Sequence, residues 1–352
     1  MYKFKKNKTL IFIVLIITLT LAITGCDFQP ENVTTSTNDN YSDNLVVHFI
    51  DVGQGDSIFI QLPNGETSLI DGGPRKSSDY LVKYLKALDV ESIDYLIATH
   101  PHEDHIGGLP EVIKNFQIGN VYMQNKTANT SIFEELLITI KEKGLKISTT
   151  KGGDVILNND GLKYEILAPN GDSYSETNDF SIVSKITYKN NSFLFTGDAE
   201  KTSEKEMIDK GFNLSSQVLK VGHHGGSSST TEEFLTSVNP KYGVISLGSD
   251  NTYGHPHKET ITKCNEHNVT VLRTDELGDI VMSSDGENIE LLDGYIDNNE
   301  DIDEEYFIGN INTKVYHNSN CNQLPKEENR IIFKSREEAE KNGYKPHGKC
   351  NN

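Results

Sequence analysis

Positive charge and cysteine are both scarce in this chain. Its 352 residues carry 33 Lys and Arg against 52 Asp and Glu, which gives a formal net charge of -19. This balance argues against a broad basic footprint for nucleic acid or anionic lipid, although it leaves room for a local basic groove or for a metal that attracts phosphate. Of the four cysteines, Cys264 stands in a predicted helix, where we expect a packed apolar residue rather than a reactive thiol.

Long uncharged runs are also missing, except near the N-terminus. Residues 10–23 carry no charge, follow four lysines within the first eight residues, and lead into Ile23-Thr24-Gly25-Cys26. The run is too short and one-sided for a comfortable membrane span, and it is typical of a secretory signal. Its end resembles the bacterial lipobox. The resemblance implies that residues 1–25 are removed and that Cys26 is lipidated, which would anchor the protein outside the cytoplasm. The alternative is a retained single-span anchor.

Composition divides the remaining chain into a large and a small unit. Residues 26–44 are mostly polar and predict a flexible tether. Residues 45–296 suffice for one large domain, and the acidic residues 297–305 predict a linker to a small domain at 306–352. We find no internal repeat.

Within the large unit, strand patterns at both ends enclose interleaved helices. Strands are predicted at residues 45–50, 57–62, 67–70, 93–98, 154–156, 164–167, 182–188, 193–195, 218–221, 242–246, 270–273 and 280–283. Helices are predicted at 79–88, 109–116, 131–143, 201–210 and 231–237. This order predicts an α/β fold with two packed sheets and outer helices, an αβ/βα sandwich. A functional site would then form from loops at the strand ends.

The hexapeptide His100-Pro101-His102-Glu103-Asp104-His105 combines three histidines with a carboxylate. Imidazole and carboxylate groups suit zinc or another borderline divalent ion. The segment follows a predicted buried strand directly, so we expect these side chains in a loop at the strand end. His100 and His102 can hold one ion while Asp104 and His105 turn towards a second. The alternative is a solvated polar turn.

Further candidate ligands follow other predicted strands. Asp198 ends Thr196-Gly197-Asp198, His223 and His224 lie in a Gly-rich turn, and His255 lies in Tyr253-Gly254-His255-Pro256. Taken singly, each is weak, because a histidine after a strand is usually polar surface. Together with the hexapeptide and His257, they place seven of the eleven histidines after strands. That recurrence favours a metal centre.

His-x-His-x-Asp-His followed by Gly-Asp and later histidines resembles the metallo-β-lactamase superfamily pattern. The chain is similar, more closely still, to the hydrolase-like domain of ComEC-type DNA-uptake proteins. The similar segments are residues 48–57, 70–73, 99–109, 195–198, 220–225 and 253–256, within about 45–292. That family's multi-span channel is not seen in this sequence, so the resemblance does not imply DNA import.

The resemblance implies two divalent ions, Zn²⁺ or Mn²⁺, bridged by Asp198. His100 and His102 would bind one ion and Asp104 and His105 the other. The shells would be completed from His223, His224 and, as a further candidate ligand, His255.

Other roles implied by the resemblance concern positions around these ligands. His255 would otherwise be a substrate-facing acid, and with Asp104 and His224 we predict it to act in catalysis. Asp71 would orient a ligand histidine, as carboxylates behind metal ligands do, and we place Asp51 in the same outer layer. The family's isolated histidine before the bridging aspartate is not evident, and Asn178, which lies nearby in order, is a poor substitute.

Hydrolysis is the expected reaction, because ions of this kind lower the pKa of a bound water towards neutrality. A phosphodiesterase or nuclease acting on extracellular DNA, such as single-stranded DNA, is the leading expectation. One alternative is an esterase of envelope phosphoesters such as choline phosphate on teichoic acid. Another is a surface binding module without turnover.

Two short-spaced pairs, His317-x-x-x-Cys321 and His347-x-x-Cys350, predict a tetrahedral zinc site in a small zinc-ribbon-like C-terminal domain. The alternative is a disulfide between Cys321 and Cys350, which an oxidising exterior favours. Residues 315–321, 329–335 and 337–346 resemble the metal-binding domain of the Ada DNA-repair protein. That pattern has four cysteines. His317 and His347 replace two of them, which implies a structural role rather than methyl transfer.

Overall fold

The computed structural model describes residues 43–249, 251–292, 307–318, 321, 324–326, 329–333 and 336–348. The predicted signal segment, Cys26, nearly all of the tether, the acidic linker and Cys350 lie outside these residues. Among the helices that are described, none combines the length and the apolar character that a membrane crossing requires.

Two mixed sheets make up the large unit. Its strands are β1 Leu45–Phe49, β2 Ile58–Gln61, β3 Thr67–Ile70, β4 Ser92–Ala98, β5 Gln117–Met123, β6 Ile147–Ser148, β7 Val155–Asn159, β8 Leu162–Ala168, β9 Val183–Tyr188, β10 Asn191–Phe195, β11 Val218–Lys220, β12 Tyr242–Ile245, β13 Thr270–Arg273, β14 Ile280–Ser284 and β15 Ile289–Leu292. The first sheet has the order β15-β14-β1-β2-β3-β4-β5-β6, and the second has the order β13-β12-β11-β10-β9-β8-β7.

Parallel pairing in each sheet brings strand ends to one edge. In the first sheet β3, β4, β5 and β6 run parallel to one another. In the second, β10, β11, β12 and β13 do the same. Because parallel strands end on the same side, the residues that follow each strand are brought together there.

Alternation along the strands builds the core between the sheets. Leu45, Val47 and Phe49 of β1 pack with Phe193 and Phe195 of β10 in one buried cluster. The intervening His48 faces the other way, where its Nδ1 lies 3.0 Å from the hydroxyl of Tyr84. Successive side chains of a strand point to opposite faces, so one face fills the core and the other receives helices.

Helices cover both outer faces of the sandwich. They are α1 Ser78–Ala87, α2 Glu103–Ile106, α3 Leu109–Asn115, α4 Ser131–Glu142, α5 Lys201–Asp209, α6 Glu232–Val238, α7 Lys258–Glu266 and α8 Thr274–Leu277. Apolar residues of α1, α3 and α4 pack on the first sheet, and those of α5, α6 and α7 on the second. The predicted αβ/βα sandwich is therefore confirmed.

The structure corrects the sequence interpretation at several elements. Asp104 and His105 lie in the short helix α2 and not in a loop, because the chain turns helical directly after His102. Strands β5, β6 and β15 were not predicted. In β5 the burial is confined to its second half, which weakens the alternating pattern. Cys264 is fully buried in α7, as expected.

The small C-terminal unit holds a separate four-stranded sheet. Its elements are β16 Phe307–Asn310, β17 Val315–Asn318, β18 Arg330–Phe333, α9 Arg336–Lys341 and β19 Lys345–Pro346. The sheet order is β18-β16-β17-β19. Its core consists of the buried residues Phe307, Tyr316, Phe333, Ala339 and Tyr344. So small a core contributes little stability by itself, which fits a unit held by additional links.

Candidate metal centre

Residues that follow five strands assemble at one edge of the sandwich. Asp71 follows β3, His100 follows β4, and Asp198 lies beyond the end of β10. His224 comes after β11, and the loop after β12 carries His255. The ends of two sheets thus supply ligands from segments far apart in sequence.

The loop after β3 and the hexapeptide are packed backbone against backbone. A Cβ on Gly108 would lie 2.2 Å from the carbonyl oxygen of Gly72, so the approach requires glycine there. It brings His105 Nδ1 to 2.7 Å from Asp71 Oδ2. The same carboxylate accepts hydrogen bonds from the backbone N–H and hydroxyl of Thr99 at 2.8 and 2.6 Å. This geometry agrees with the orienting role predicted for Asp71, which stays a prediction.

Asp198 lies at the centre of the histidine cluster and uses both carboxylate oxygens. Its Oδ2 is 3.2 Å from His105 Nε2 and 3.8 Å from His100 Nε2. The same oxygen is 3.9 Å from His223 Nε2, while Oδ1 is 3.5 Å from His224 Nε2. A carboxylate in this position can serve two ions at once.

Potential ligand atoms form three overlapping groups, in each of which all atoms lie within 4.8 Å of one another. The groups are His100, His102 and Asp198; Asp104, His105 and His224; and Asp56, His105 and Asp198. The first two match the division of ligands implied by the sequence resemblance, with the bridging aspartate between them. His223 is not a member of these groups, but its Nε2 lies near Asp198 of the first group.

The two adjacent histidines reach different parts of the cluster because their backbone is unusual. His223 and His224 have φ of 50° and 52°, in the left-handed region, which is uncommon and costly outside glycine. His224 is buried, with Nδ1 2.9 Å from the carbonyl oxygen of Ser246. His223 is partly exposed, and its Nδ1 lies 3.0 Å from Ser228 Oγ and 3.2 Å from Glu200 Oε1. The turn therefore separates the two rings.

The hydrogen bonds at Nδ1 of His105 and of His224 show that the cluster fits a cation. A carbonyl oxygen or carboxylate can only accept, so Nδ1 of His224 and of His105 carries hydrogen and Nε2 faces Asp198. In the described part of the chain, these two Nε2 atoms and Asp198 Oδ1 are buried without a hydrogen-bond partner. Converging imidazole nitrogens and carboxylate oxygens are the donor set of divalent metal ions.

The electrostatics of the cluster also favour cations. Burial lowers the pKa of His100 and His102. At His105, His224 and Asp198 burial also disfavours the charged form, but opposite charges outweigh it. Asp198 and Asp71 raise the pKa of His105 well above its ordinary value, and Asp198 with Asp56 raises the pKa of His224 to about 10. His105 and His224 in turn hold the pKa of Asp198 well below the usual range. The carboxylates are thus kept as anions that attract positive charge.

Asp56 and Lys220 form a buried ion pair next to the ligands. Lys220 Nζ lies 2.7 Å from Asp56 Oδ2, and the two side chains are 0% and 1% exposed. Asp56 Oδ1 is 3.3 Å from His224 Nδ1. Burial raises the pKa of Asp56, but Lys220 and His224 outweigh this and lower it to about 2. No sequence pattern predicted this ion pair.

The predicted outer residue Asp51 and the poor histidine substitute Asn178 lie differently relative to the cluster. Asp51 does not reach the ligands among the described residues: its carboxylate accepts a hydrogen bond from Gly53 N at 3.0 Å, which folds it back on its own turn. Asn178, by contrast, lies at the cluster. Its Nδ2 is 3.4 Å from His223 Nε2 and donates to Glu200 Oε1 at 3.0 Å. Asn178, which stands near the sequence position of the missing histidine, thus lies next to His223.

An open cavity of about 670 Å³ lies over the cluster. Metal-ligand candidates on its wall include Asp104, Asp198 and His224, and His255 lies beside them. The His255 ring centroid is 5.4 Å from that of His223, but His255 is in none of the three ligand groups. Burial, with His224 and His223 nearby, lowers the pKa of His255 to about 4. This position faces substrate space, which favours the substrate-facing alternative.

The C-terminal unit has its own small cluster. Ligand atoms of His317, Cys321 and His347 lie within 4.8 Å of one another, and the two imidazole rings stack with centroids 4.4 Å apart. Cys321 is disulfide-bonded. The same pocket offers a metal site when the sulfur is a thiolate.

Comparison with known proteins identifies the two units. Residues 50–249 match the family described as the metallo-beta-lactamase superfamily, and residues 290–352 match the metal binding domain of Ada. The chain is 33% identical over 251 residues to ComE operon protein 3 of Bacillus subtilis (strain 168), covering 66% of this chain and 32% of that protein. It is 31% identical over 229 residues to competence protein ComA of Neisseria gonorrhoeae, covering 65% and 30%. The chain spans about a third of the length of these relatives.

Solved structures resemble the chain more distantly. Zn²⁺-bound PqqB from Methylobacterium extorquens has a TM-score of 0.42 at 8% identity, covering 64% of this chain and 97% of that structure. A diphosphatase from the PhnP family has a TM-score of 0.40 at 14% identity, covering 68% and 98%. Nothing about activity follows from likenesses at this level. Because the superfamily match covers more than half of the 352 residues, the chain belongs to the metallo-beta-lactamase superfamily, and its C-terminal residues match the metal binding domain of Ada.

Proposed function

We propose that this protein is a metal-dependent hydrolase, specifically a phosphodiesterase or nuclease that acts on extracellular DNA with two divalent ions, Zn²⁺ or Mn²⁺. The observation that carries the proposal is the position of Asp198 at an open cavity, 3.8 Å from His100 of one ligand group and 3.2 Å from His105 of the other. When bound, a pair of divalent ions supplies Lewis acidity, which activates water and stabilises charge that develops on a phosphoryl group.

The chain's own residues position the reaction. Asp71 and the Ser246 carbonyl hold His105 and His224 with Nε2 towards Asp198. Asp104 is 28% exposed and borders the cavity, so a ligand there also faces the reacting group. His255, on the same wall, is placed to donate a hydrogen bond to substrate. Preorganised donors and charges of this kind account for much of hydrolytic catalysis.

DNA as substrate and attachment to the cell surface are parts of the proposal that rest on weaker support. Relatives carry names that refer to competence, including competence protein ComA. We propose single-stranded DNA as the substrate and a lipid on Cys26 as the link to the membrane. Cys26 lies outside the described residues.

Hydrolysis of bis-p-nitrophenyl phosphate by the purified full-length protein, loaded with Mn²⁺ or Zn²⁺, tests the activity. We expect metal-dependent turnover that Asp104→Ala reduces to background, because the substitution removes a ligand at the cavity. Asp209→Ala is the matched control, since Asp209 is 60% exposed and, among the described residues, its ion pair is the exposed one with Lys205. A folded, metal-loaded protein without turnover would contradict the proposal and favour a binding module.

A substrate comparison tests the DNA assignment separately. The kcat/KM for cleavage of a labelled single-stranded oligonucleotide should be higher than the kcat/KM for hydrolysis of teichoic acid that carries choline phosphate. The reverse order would assign the enzyme to envelope phosphoesters instead.

A further inference from the structure

We propose that the cavity wall carries a two-point site for a nucleotide, in which the Tyr253 ring stacks on a base and the Lys76 ammonium binds a phosphate. The inference rests on the proposed phosphodiesterase function and deepens it by assigning the substrate class to residues outside the metal cluster. Both side chains line the same cavity as Asp104 and Asp198.

Tyr253 presents an aromatic surface to this cavity. Its side chain is 65% exposed, which is high for so large an apolar ring. The ring is nearly parallel to that of His255, at 25° and a centroid distance of 5.7 Å. His255 therefore supports one face of the ring, and the exposed remainder is open to a ligand. Stacking of a base on such a ring strengthens binding by about 5- to 150-fold and tolerates any base.

The loop that carries Tyr253 is braced on both sides of the ring. Asn251 Nδ2 donates to the carbonyl oxygens of Gly248 and His255 at 2.8 and 2.9 Å. Its Oδ1 accepts a hydrogen bond from His255 N at 3.0 Å. The ring is thus held in place before substrate arrives, which reduces the entropy lost on binding.

Lys76 supplies a cation at the same mouth. Lys76 is exposed and forms no ion pair within the described residues. Its Nζ lies beside Gly53, 3.8 Å from the position that a Cβ on this glycine would occupy. Lys76 also lines an adjoining cavity of about 330 Å³, together with Asp51 and Asp275. Those carboxylates have other partners, since Asp51 accepts from Gly53 N and Asp275 pairs with Arg273 at 2.6 Å. The ammonium is therefore available to a phosphate.

This combination favours a nucleotide over choline phosphate. A nucleotide brings a flat aromatic base for the ring and, within a strand, additional phosphates for the ammonium. Choline brings a quaternary ammonium, which the charge of Lys76 would repel in the same cavity. At about 670 Å³ the cavity also exceeds the size of a single phosphate group and falls within the range of ligand pockets.

Two diesters with the same leaving group isolate the contribution of the base. Thymidine 5′-(p-nitrophenyl phosphate) and methyl p-nitrophenyl phosphate differ only in the retained group. We expect the Mn²⁺-loaded wild-type protein to have a lower KM for the thymidine ester than for the methyl ester. Tyr253→Ala should reduce that preference about tenfold, because base stacking is lost, and Tyr253→Phe should restore it.

Salt dependence isolates the contribution of the ammonium. With oligothymidylate as substrate, Lys76→Met should reduce the slope of log(kcat/KM) against log[salt] by about 0.7, the value for one phosphate contact on a single strand. Lys83→Met is the matched control, because Lys83 is an exposed lysine on α1 that does not line the cavity. Its slope should equal that of the wild type.

The outcomes separate this inference from the proposed function. If the wild-type protein hydrolyses both diesters equally, or if Tyr253→Ala leaves the preference unchanged, the base site is overturned while the phosphodiesterase stands. An unchanged salt slope in Lys76→Met overturns the phosphate contact. If the metal-loaded protein hydrolyses neither diester, the proposed function and this inference both fail.

Discussion

Lys220 brings a positive charge into the interior at the last position of β11. Its Nζ pairs with Asp56 at 2.7 Å and donates to the carbonyl oxygen of Val221 at 3.1 Å. Asp56 in turn lies beside His224, which belongs to the metal cluster. The ion pair therefore links the strand to a ligand histidine. Breaking a buried pair leaves one charge without compensation, which is strongly destabilising.

Substitution of Lys220 tests this arrangement. We expect Lys220→Met to lower the free energy of unfolding by about 3–5 kcal/mol, because the Asp56 carboxylate would remain buried without its cation. Denaturant unfolding of the metal-loaded protein measures the change.

The control for that substitution is Lys205→Met. Lys205 is 63% exposed, and its pair with Asp209 should contribute less than about 1 kcal/mol. Equal effects of the two substitutions would show that the buried pair does not stabilise the fold.

At the scale of single residues, the sequence identified the metal ligands better than the residues that hold those ligands in place. The sequence alone reveals Asp104 and His105, because they stand in a compact motif. It also reveals Asp198, because this residue follows a strand. The contact of Asp56 with Lys220 joins positions 164 residues apart and depends on how two sheets meet. The separation of His223 from His224 depends on left-handed backbone angles, which no residue pattern in that turn specifies.

Among the secondary-structure elements, β1 connects the sandwich core to an outer helix through His48. The ring is fully buried, with Nδ1 3.0 Å from the Tyr84 hydroxyl and Nε2 3.3 Å from Gln61 Oε1. Burial lowers the pKa of His48 from 6.5 to about 4, although Gln61 opposes the shift. The histidine is therefore neutral in the native state at neutral pH.

This shift predicts a pH dependence of stability. Between pH 6.5 and about 4 the unfolded chain binds a proton at His48 that the native state does not bind, so stability falls as the pH falls through that window. His48→Gln removes the proton site and should reduce the fall by up to about 3 kcal/mol. Unfolding free energies at several pH values measure it. Parallel curves for the variant and the wild type would contradict the assignment.

The order of elements was largely predictable, and the exceptions have physical causes. Strands β4 and β10 end in apolar runs because both faces are covered there, and the last residue of each strand was predicted correctly. Strand β5 is exposed over much of its first half, so its sequence lacks a clear period. Helix α2 has only four residues, Glu103–Ile106, too few for a helical pattern to show in sequence.

For the molecule as a whole, an excess of acidic residues coexists with a proposed polyanionic substrate. The net charge of -19 repels DNA at long range, so binding must depend on local positive charge. Metal ions at Asp198 and the ammonium of Lys76 would supply that charge within one cavity. The sequence could exclude a broad basic surface, but only the folded chain shows that Lys76 and the ligand groups share a wall.

The number of metal ions held by the folded full-length protein tests the central claim most directly. Mn²⁺ is the suitable probe, because oxygen and imidazole ligands accept it, whereas Cys321 of the C-terminal cluster is disulfide-bonded and, when reduced to a thiolate, prefers softer ions. After loading with excess Mn²⁺ and desalting, elemental analysis should find two ions per chain, and Asp198→Ala should lose them. A folded wild-type chain that retains one ion or none would contradict a two-ion centre built around Asp198.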